Sequence, residues 1–237
     1  MSTKIEWADK SWNPVTGCSP ISEGCRNCYA ARMAKRLAGR YGYPKNDPFK
    51  VTFHKDKLHR PKNWSSRRVF VCSMADLFHN DVTDDQIQSV FDVMYRYRHH
   101  TYIVLTKRIG RLVAMTDDII KRHEIYSLSN WQQNCFPDNI WIGVSAENQQ
   151  TADQRIPALL DIPAKIRFVF FEPLLGPIYD PWTCEHMDWV IVGAETGPGA
   201  RVMNMDWVND IKDGCQRLGI PYFLKKRRRA MNRDLRC

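Results

Sequence analysis

Short apolar runs alternate with longer amphipathic stretches through most of this 237-residue chain. The first periodic stretch, Tyr29 to Ala38, combines strong helix formers with apolar spacings of three and four. It predicts a helix that Gly39 ends. Residues 40–66 are rich in Pro, Lys and Asn and read as a loop-rich connection. Arg68–Cys72 is a short apolar run, a predicted buried strand. Thr83 as N-cap with Gln86 three residues on forms a capping box, starting a helix that runs to about Tyr97. The alternation then continues. Thr101–Thr106 predicts a strand, Ile109–Ile120 a helix, 121–138 a polar insertion, Asn139–Val144 a strand and Asn148–Leu160 a helix. Ile166–Phe171 and Asp188–Gly193 predict strands, Asp206–Leu218 a helix closed by Gly219, and Ile220–Leu224 a last strand.

Near-continuous apolar strands between amphipathic helices imply a parallel sheet covered by helices. Six or seven strands fall short of the eight that close a barrel, so the expected fold is α/β, a partial (β/α) barrel of about six parallel strands or an open sheet. It would occupy residues 1–224, followed by a basic tail over 225–237. Functional residues of such folds gather at the C-terminal ends of the strands. Polar clusters stand at five of these predicted ends. They are Cys72–Asp76, Thr106–Arg108, Ser145–Asn148, Glu172-Pro173 and Ala194–Gly199. Each has a plainer reading: Ser145 and Asn148 suit caps of the next helix, and Glu172 suits a solvated loop.

Composition bounds the function. Hydrophobic residues make up 43% and charged residues 26%, which excludes wholesale disorder. No run approaches the ~18 apolar residues that a membrane span needs. The segment Met1–Lys10 is polar and mixed in charge, unlike a signal peptide. The expectation is a cytoplasmic protein without a membrane partner. A net charge of +9 points to an anionic partner.

The eight cysteines are unevenly spread, and an intracellular chain gives little reason for a disulfide framework. Cys72, Cys135, Cys184, Cys215 and Cys237 are scattered and read as small buried hydrophobes. Cys18, Cys25 and Cys28 form C-x6-C-x2-C on one loop before the first helix. Arg26 and that helix's N-terminus favour thiolates there. Three thiolates suit a [4Fe–4S] cluster with one iron left open. Structural zinc wants four ligands, and His54 or His79 is a candidate fourth. Chance burial of the cysteines is the remaining reading.

With the cysteine loop set before a run of strand–helix units, the chain resembles radical S-adenosylmethionine (SAM) enzymes. Their usual spacing is C-x3-C-x2-C with an aromatic before the third cysteine. Here the first gap is longer, Asn27 precedes Cys28, and Tyr29 follows it. More closely, Trp7–Cys18, Gly24–Ala30, Trp141–Ser145, Phe171–Pro177 and Trp189–Gly197 resemble a phage-encoded three-cysteine family of radical-SAM-like proteins. The resemblance spans residues 7 to about 224 and leaves Lys225 to Cys237 unmatched.

It implies that Cys18, Cys25 and Cys28 ligate the cluster and that SAM binds its open iron. An electron from an external one-electron reductant then cleaves SAM to methionine and a 5′-deoxyadenosyl radical, which abstracts a substrate hydrogen. It further implies that Tyr29 lies near the SAM adenine. Ser73 and Asp76 would bind its amine, and Ser145, Glu147 and Asn148 its ribose and carboxylate. Lys107 and Arg108 are candidates for the SAM carboxylate or a substrate phosphate. Glu172 and Glu195 would face the same mouth, and Cys72 is a candidate hydrogen donor.

The charge narrows the partner. The tail Lys225 to Cys237 holds seven basic residues and one acidic, the pattern of a nucleic-acid-contacting arm or of a solvated tail. Lys55, Lys57, His59, Arg60, Lys62, Arg67 and Arg68 lie with Phe53 and Trp64, an interleaving that suits a phosphate backbone with unstacked bases; Trp64 equally suits the core. The leading expectation is a radical SAM enzyme on a nucleic-acid base or nucleotide, with phage DNA modification as one setting. The alternatives are a zinc-stabilised, non-catalytic nucleic-acid-binding module and a radical SAM enzyme acting on a peptide or small molecule.

Overall fold

The computed structural model describes residues 5–123, 135–179 and 186–225. Seven strands form one all-parallel sheet: β1 (Lys10–Trp12), β4 (Arg68–Val71), β5 (Thr101–Thr106), β6 (Ile140–Ser145), β7 (Arg167–Phe171), β8 (Trp189–Val192) and β9 (Tyr222–Leu224). They pair in that order, so β1 and β9 are open edges and the sheet curls into a half-barrel. A separate antiparallel pair, β2 (Val15–Thr16) and β3 (Thr52–Phe53), pins the long connection against the start of the cysteine loop. Helices α1 (Tyr29–Arg36), α2 (Asp84–Arg96), α3 (Ile109–His123), α4 (Gln149–Leu160) and α5 (Met205–Leu218) intervene.

The strands bury both faces, which is why they read as continuous apolar runs. Val69, Tyr102, Val104, Ile142, Val169 and Val190 face the helices and join the main core. The alternate residues Phe70, Ile103, Trp141, Phe168, Phe170 and Ile191 face the other way and form a second core. Trp7 enters this second core from the N-terminal segment. Its ring meets Phe70 and Phe170 edge-on, with centroids 4.7 and 5.6 Å away. The space inside is narrow: a Cβ on Gly143 would fall 2.4 Å from the Phe168 ring.

The capping box forms, with Thr83 Oγ1 accepting from Gln86 N at 3.3 Å and Gln86 Oε1 accepting from Thr83 N at 3.1 Å. Gly219 closes α5 in the left-handed conformation at φ 68°. Three expectations need correction. The first strand, β1, is absent from the sequence reading, because three residues with one apolar side chain carry no period. Lys121–His123 continue α3 rather than open the polar insertion, and His123 is held by Asp92 at 2.7 Å. The connection 40–66 contains β3 and short 3-10 turns at Lys55–Lys57 and Arg60–Asn63. The insertion's residues 124–134, tail residues 226–237, Cys184 and Cys237 lie outside the described residues. Cys72 and Cys215 are buried, as small hydrophobes should be, and Cys135 is half-buried. No described helix is long and apolar enough to cross a membrane.

Candidate active site

The cysteine loop leaves β2 at the C-terminal end of the sheet. Gly17 makes its first turn at φ 89°, and a Cβ there would meet the Lys50 carbonyl oxygen at 2.1 Å, so only glycine fits. Its N–H donates to Met74 O at 2.9 Å, and the Cys18 N–H donates to Phe49 O at 3.2 Å. The loop is thereby tied to the end of β4 on one side and to the long connection on the other. Cys25 ends a 3-10 turn, and Cys28 stands at the N-cap of α1, its N–H donating to Cys25 O at 3.3 Å. All three thiols are half-buried.

Two cations from the end of β5 face these thiols. Arg108 Nη1 donates to Cys18 Sγ at 3.4 Å and to Asp76 Oδ2 at 3.3 Å, while Nη2 donates to Ser19 O at 2.9 Å. Lys107 Nζ lies 4.0 Å from Cys25 Sγ and forms an ion pair with Glu147. Burial pushes the Cys18 thiol up against the pull of Arg108. At Cys25 burial pushes the same way, but Lys107 and hydrogen bonds from the Ile21–Ser22 backbone outweigh it and lower the thiol.

Beneath the loop sits Glu147, fully buried. It meets Lys107, accepts from Ser22 Oγ at 2.6 Å and pairs with Arg155 Nη1 at 3.1 Å. Burial raises its carboxyl, but these partners hold it below the usual range. A Cβ on Gly24 would fall 2.4 Å from Glu147 Cγ, so the loop lies directly on the carboxylate. On the far side Glu195 accepts from Asn27 Nδ2 at 2.8 Å and is gripped by Arg201 at 2.6 Å. Arg201 and Asn27 hold its carboxyl down at about 2 against the opposing effect of burial. Arg201 Nη2 also donates to Glu23 O at 3.0 Å, which ties the loop after β8 to the cysteine loop.

A family model described as "Protein of unknown function (DUF5131)" matches residues 2–234. The chain belongs to this family. No curated protein matches it. Among solved structures it is similar to spore photoproduct lyase complexed with dinucleoside spore photoproduct. The TM-score is 0.58 and the identity 10%, over 94% of this chain and 78% of that one. A cysteine-to-alanine mutant of the lyase gives a TM-score of 0.59 at 11% identity, with the same coverage. The likeness shows the fold, a radical-SAM-like half-barrel, as the sequence predicts.

Among the residues named from sequence, Cys18, Cys25, Asp76, Lys107, Arg108 and Glu147 share one side-chain network, Cys28 joins Cys25 through its backbone N–H, and Glu195 reaches the loop through Asn27 and Arg201. Asp76 is saturated, accepting from Thr106 Oγ1 at 2.7 Å, Phe78 N at 3.1 Å and Lys107 N at 3.0 Å besides Arg108. Ser73 donates to Asn13 Oδ1 at 3.2 Å. Asn148 is the N-cap of α4, with Oδ1 accepting from Thr151 N at 3.0 Å, and Ser145 donates to Glu172 O at 3.2 Å. Asn148 thus caps the helix, as its plainer reading has it, and Ser145 does not. Tyr29 is 54% exposed on the first turn of α1. Cys72 is buried in the main core with its thiol pushed up to about 12 by burial. Glu172 lies flat against Gly193. Lys225 Nζ donates to its Oε1 at 2.7 Å while Oε2 is buried and has no partner among the described residues, and burial raises its carboxyl.

Asn13, Ser22, Asn27, Arg155 and Arg201 were not legible in advance. Only Asn27 carried a signal, standing where the resembling family has an aromatic. Arg155 sits mid-helix in α4 like any solvated cation, and its burial against Glu147 depends on the tertiary fold.

Among the described residues no group of three or more His, Cys, Asp or Glu is disposed to hold a metal ion. The chemistry of the donor set nevertheless fits an iron–sulfur cluster: three thiols on one loop, with a lysine and an arginine set against two of them. Of the two histidines considered for zinc, His54 is engaged with β2 and His79 with the cysteine loop itself, at Ser19. His54 Nε2 lies 2.7 Å from Thr16 Oγ1, and His79 Nε2 lies 2.7 Å from Ser19 Oγ while its Nδ1 accepts from Asp81 N at 3.1 Å.

Proposed function

We propose that this protein is a radical SAM enzyme acting on a nucleic-acid base or nucleotide. The observation that carries the reading is the three-thiol loop laid across the C-terminal mouth of a parallel half-barrel, with Lys107 and Arg108 aimed at two of its thiols. Cys18, Cys25 and Cys28 would hold a [4Fe–4S] cluster. When bound, the cluster supplies the electron that cleaves SAM, and an external one-electron reductant replaces it.

The chain's own residues supply placement. Glu147 anchors the loop through Ser22 and fixes Lys107 beside Cys25. Arg108 holds positive charge on Cys18 and is itself aimed by Asp76. Asn27, Glu195 and Arg201 tie the loop's second half to the end of β8. Trp7 and the inward rings of β4 to β8 close the barrel floor to water, which protects a radical reaction at the mouth. Glu172, with its carboxyl raised by burial and its buried Oε2 unpartnered among the described residues, is suited to hold a proton.

The substrate class is supported by the similar lyase, whose complex contains a dinucleoside photoproduct, and by the basic composition. The close likeness of the motifs to the phage-encoded three-cysteine family supports a phage setting and a cytoplasmic site of action. The test is anaerobic reconstitution with iron and sulfide. Brown protein with visible iron–sulfur absorption that responds to added SAM supports the reading. A colourless protein holding a single tight zinc contradicts it.

A further inference from the structure

The charge of this protein is segregated. Between Arg26 and Arg68 stand thirteen basic residues and two acidic ones. The chain as a whole has 35 and 26, and once that stretch and the tail 225–237 are set aside, 15 basic residues face 23 acidic. The half-barrel is therefore acidic apart from one flank. The basic stretch is α1 and the connection to β4, and the structure keeps it in one place. Its middle abuts the cysteine loop through the Cys18–Phe49 hydrogen bond and the β2–β3 pair. Its later part runs beside the β1 edge, where Trp12 Nε1 donates to Lys57 O at 2.9 Å and His100 Nε2 lies 2.9 Å from Pro61 O.

Lys35, Arg36, Arg40, Lys45, Lys55 and Arg60 are all exposed on this flank. Of the thirteen basic residues only Arg68 is in an ion pair among the described residues, with Asp9. Two large aromatic side chains stand out of the same surface, Tyr29 at 54% and Tyr41 at 71% exposure. Tyr41 also adopts φ 55°, a left-handed conformation that a bulky residue adopts at a cost. Uncompensated cations and exposed rings side by side match a nucleic-acid strand, whose phosphates take the cations and whose unstacked bases take the rings.

We infer that the α1 flank from Arg26 to Arg68 is the docking surface for a single-stranded or locally opened nucleic acid, leading it to the mouth beside the cysteine loop. This deepens the nucleic-acid reading above and does not depend on the radical chemistry. DNA and RNA share the chemistry invoked, and separate arms distinguish them.

The test is fluorescence-anisotropy titration of labelled single-stranded DNA, single-stranded RNA and duplex DNA onto the full-length, reconstituted protein over a range of salt. The flank variant carries Lys35→Ser, Arg36→Ser, Arg40→Ser and Lys45→Ser. The control of equal net charge carries Lys121→Ser, Lys165→Ser, Lys212→Ser and Arg217→Ser. If all four flank cations meet phosphates, the slope of log K against log salt falls by about 3, and binding at 0.1 M salt weakens on the order of a hundredfold. The control should bind within about twofold of wild type. Tyr41→Ala should weaken the single strands about five- to tenfold, and the duplex far less.

Equal losses in flank and control variants overturn the inference, as does polyglutamate competing as well as the oligonucleotide. A variant with Arg227, Arg228 and Arg229 changed to Ser that loses all binding while the flank variant keeps it overturns it in favour of the tail. SAM cleavage measured on the same samples separates the two proposals. Flank-dependent binding without cleavage sinks the radical reading alone, and cleavage with flank-independent binding sinks this one alone.

Discussion

Replacing Glu195 by Gln should destabilise the protein at neutral pH and much less in acid. The carboxylate is 9% exposed, receives the Arg201 side chain and backbone N–H and the Asn27 amide, and is held at about 2 from an ordinary 4.5. A group whose folded pKa is depressed stabilises the fold above its unfolded pKa. That contribution is lost as pH falls through the folded value. At about 1.4 kcal/mol per unit the shift corresponds to about 3 kcal/mol, and the partly exposed Arg201 lets solvent reduce this to about 2 kcal/mol. For a chain of this size that lowers Tm by about 4–8 °C. The assay is urea and thermal unfolding of wild type and Glu195→Gln, equally loaded with cofactor, from pH 8 to pH 3. The gap between them should be full near pH 7, begin to close below about 4.5 and be reduced to under half by pH 3, with the remainder lost only as pH falls through about 2. A gap of constant size across that range would refute the ion pair as its source. The same variant frees Asn27, so the cysteine loop should gain protease sensitivity at neutral pH.

Lys107→Met removes the charge that lowers the Cys25 thiol, so alkylation of metal-free protein at Cys25, mapped by mass spectrometry near pH 7.5, should slow several-fold. An unchanged rate would show that the backbone hydrogen bonds alone hold the thiolate. Gly143→Ala drives a methyl group into the Phe168 ring and should cost about 1–3 kcal/mol in urea unfolding; a neutral result would mean the barrel interior is looser than described. Trp7→Ala empties the centre of the second core and should cost about 3–5 kcal/mol, with Trp fluorescence of the remaining residues shifting to the red. Cys72→Ala should leave any reaction product unchanged, since its thiol is buried in the main core; a changed product would identify it as a hydrogen donor.

The strands and helices were legible wherever the chain repeats one environment over several residues. Thr101–Thr106 and Gln149–Leu160 are cases in which both sheet faces or one helix face are buried. β1 was not legible, because its place in the sheet comes from pairing with β4 through Lys10, Ser11 and Trp12, and two of those three side chains are polar. The site divides the same way. The cysteines and the strand-end residues Asp76, Lys107, Arg108 and Glu147 follow from spacing and from the rule about strand ends. Their partners Ser22, Arg155 and Arg201 are set by which loops fold over one another, and 125 residues separate Ser22 from Glu147. Glu147, named from its strand end, is buried beneath the cysteine loop, a placement that spacing alone does not reveal. The tail and the Lys55–Arg68 patch stand out as basic blocks in the sequence, whereas the excess runs on through α1 back to Arg26.

Formation of 5′-deoxyadenosine under anaerobic conditions, with SAM and a strong one-electron reductant, in wild type and in Cys28→Ala decides whether this protein is a radical SAM enzyme. Wild type should yield 5′-deoxyadenosine and methionine, faster when single-stranded nucleic acid is present, and the variant neither. Reconstituted wild type that carries a cluster yet yields no 5′-deoxyadenosine, or a Cys28→Ala variant that yields as much as wild type, would contradict that reading.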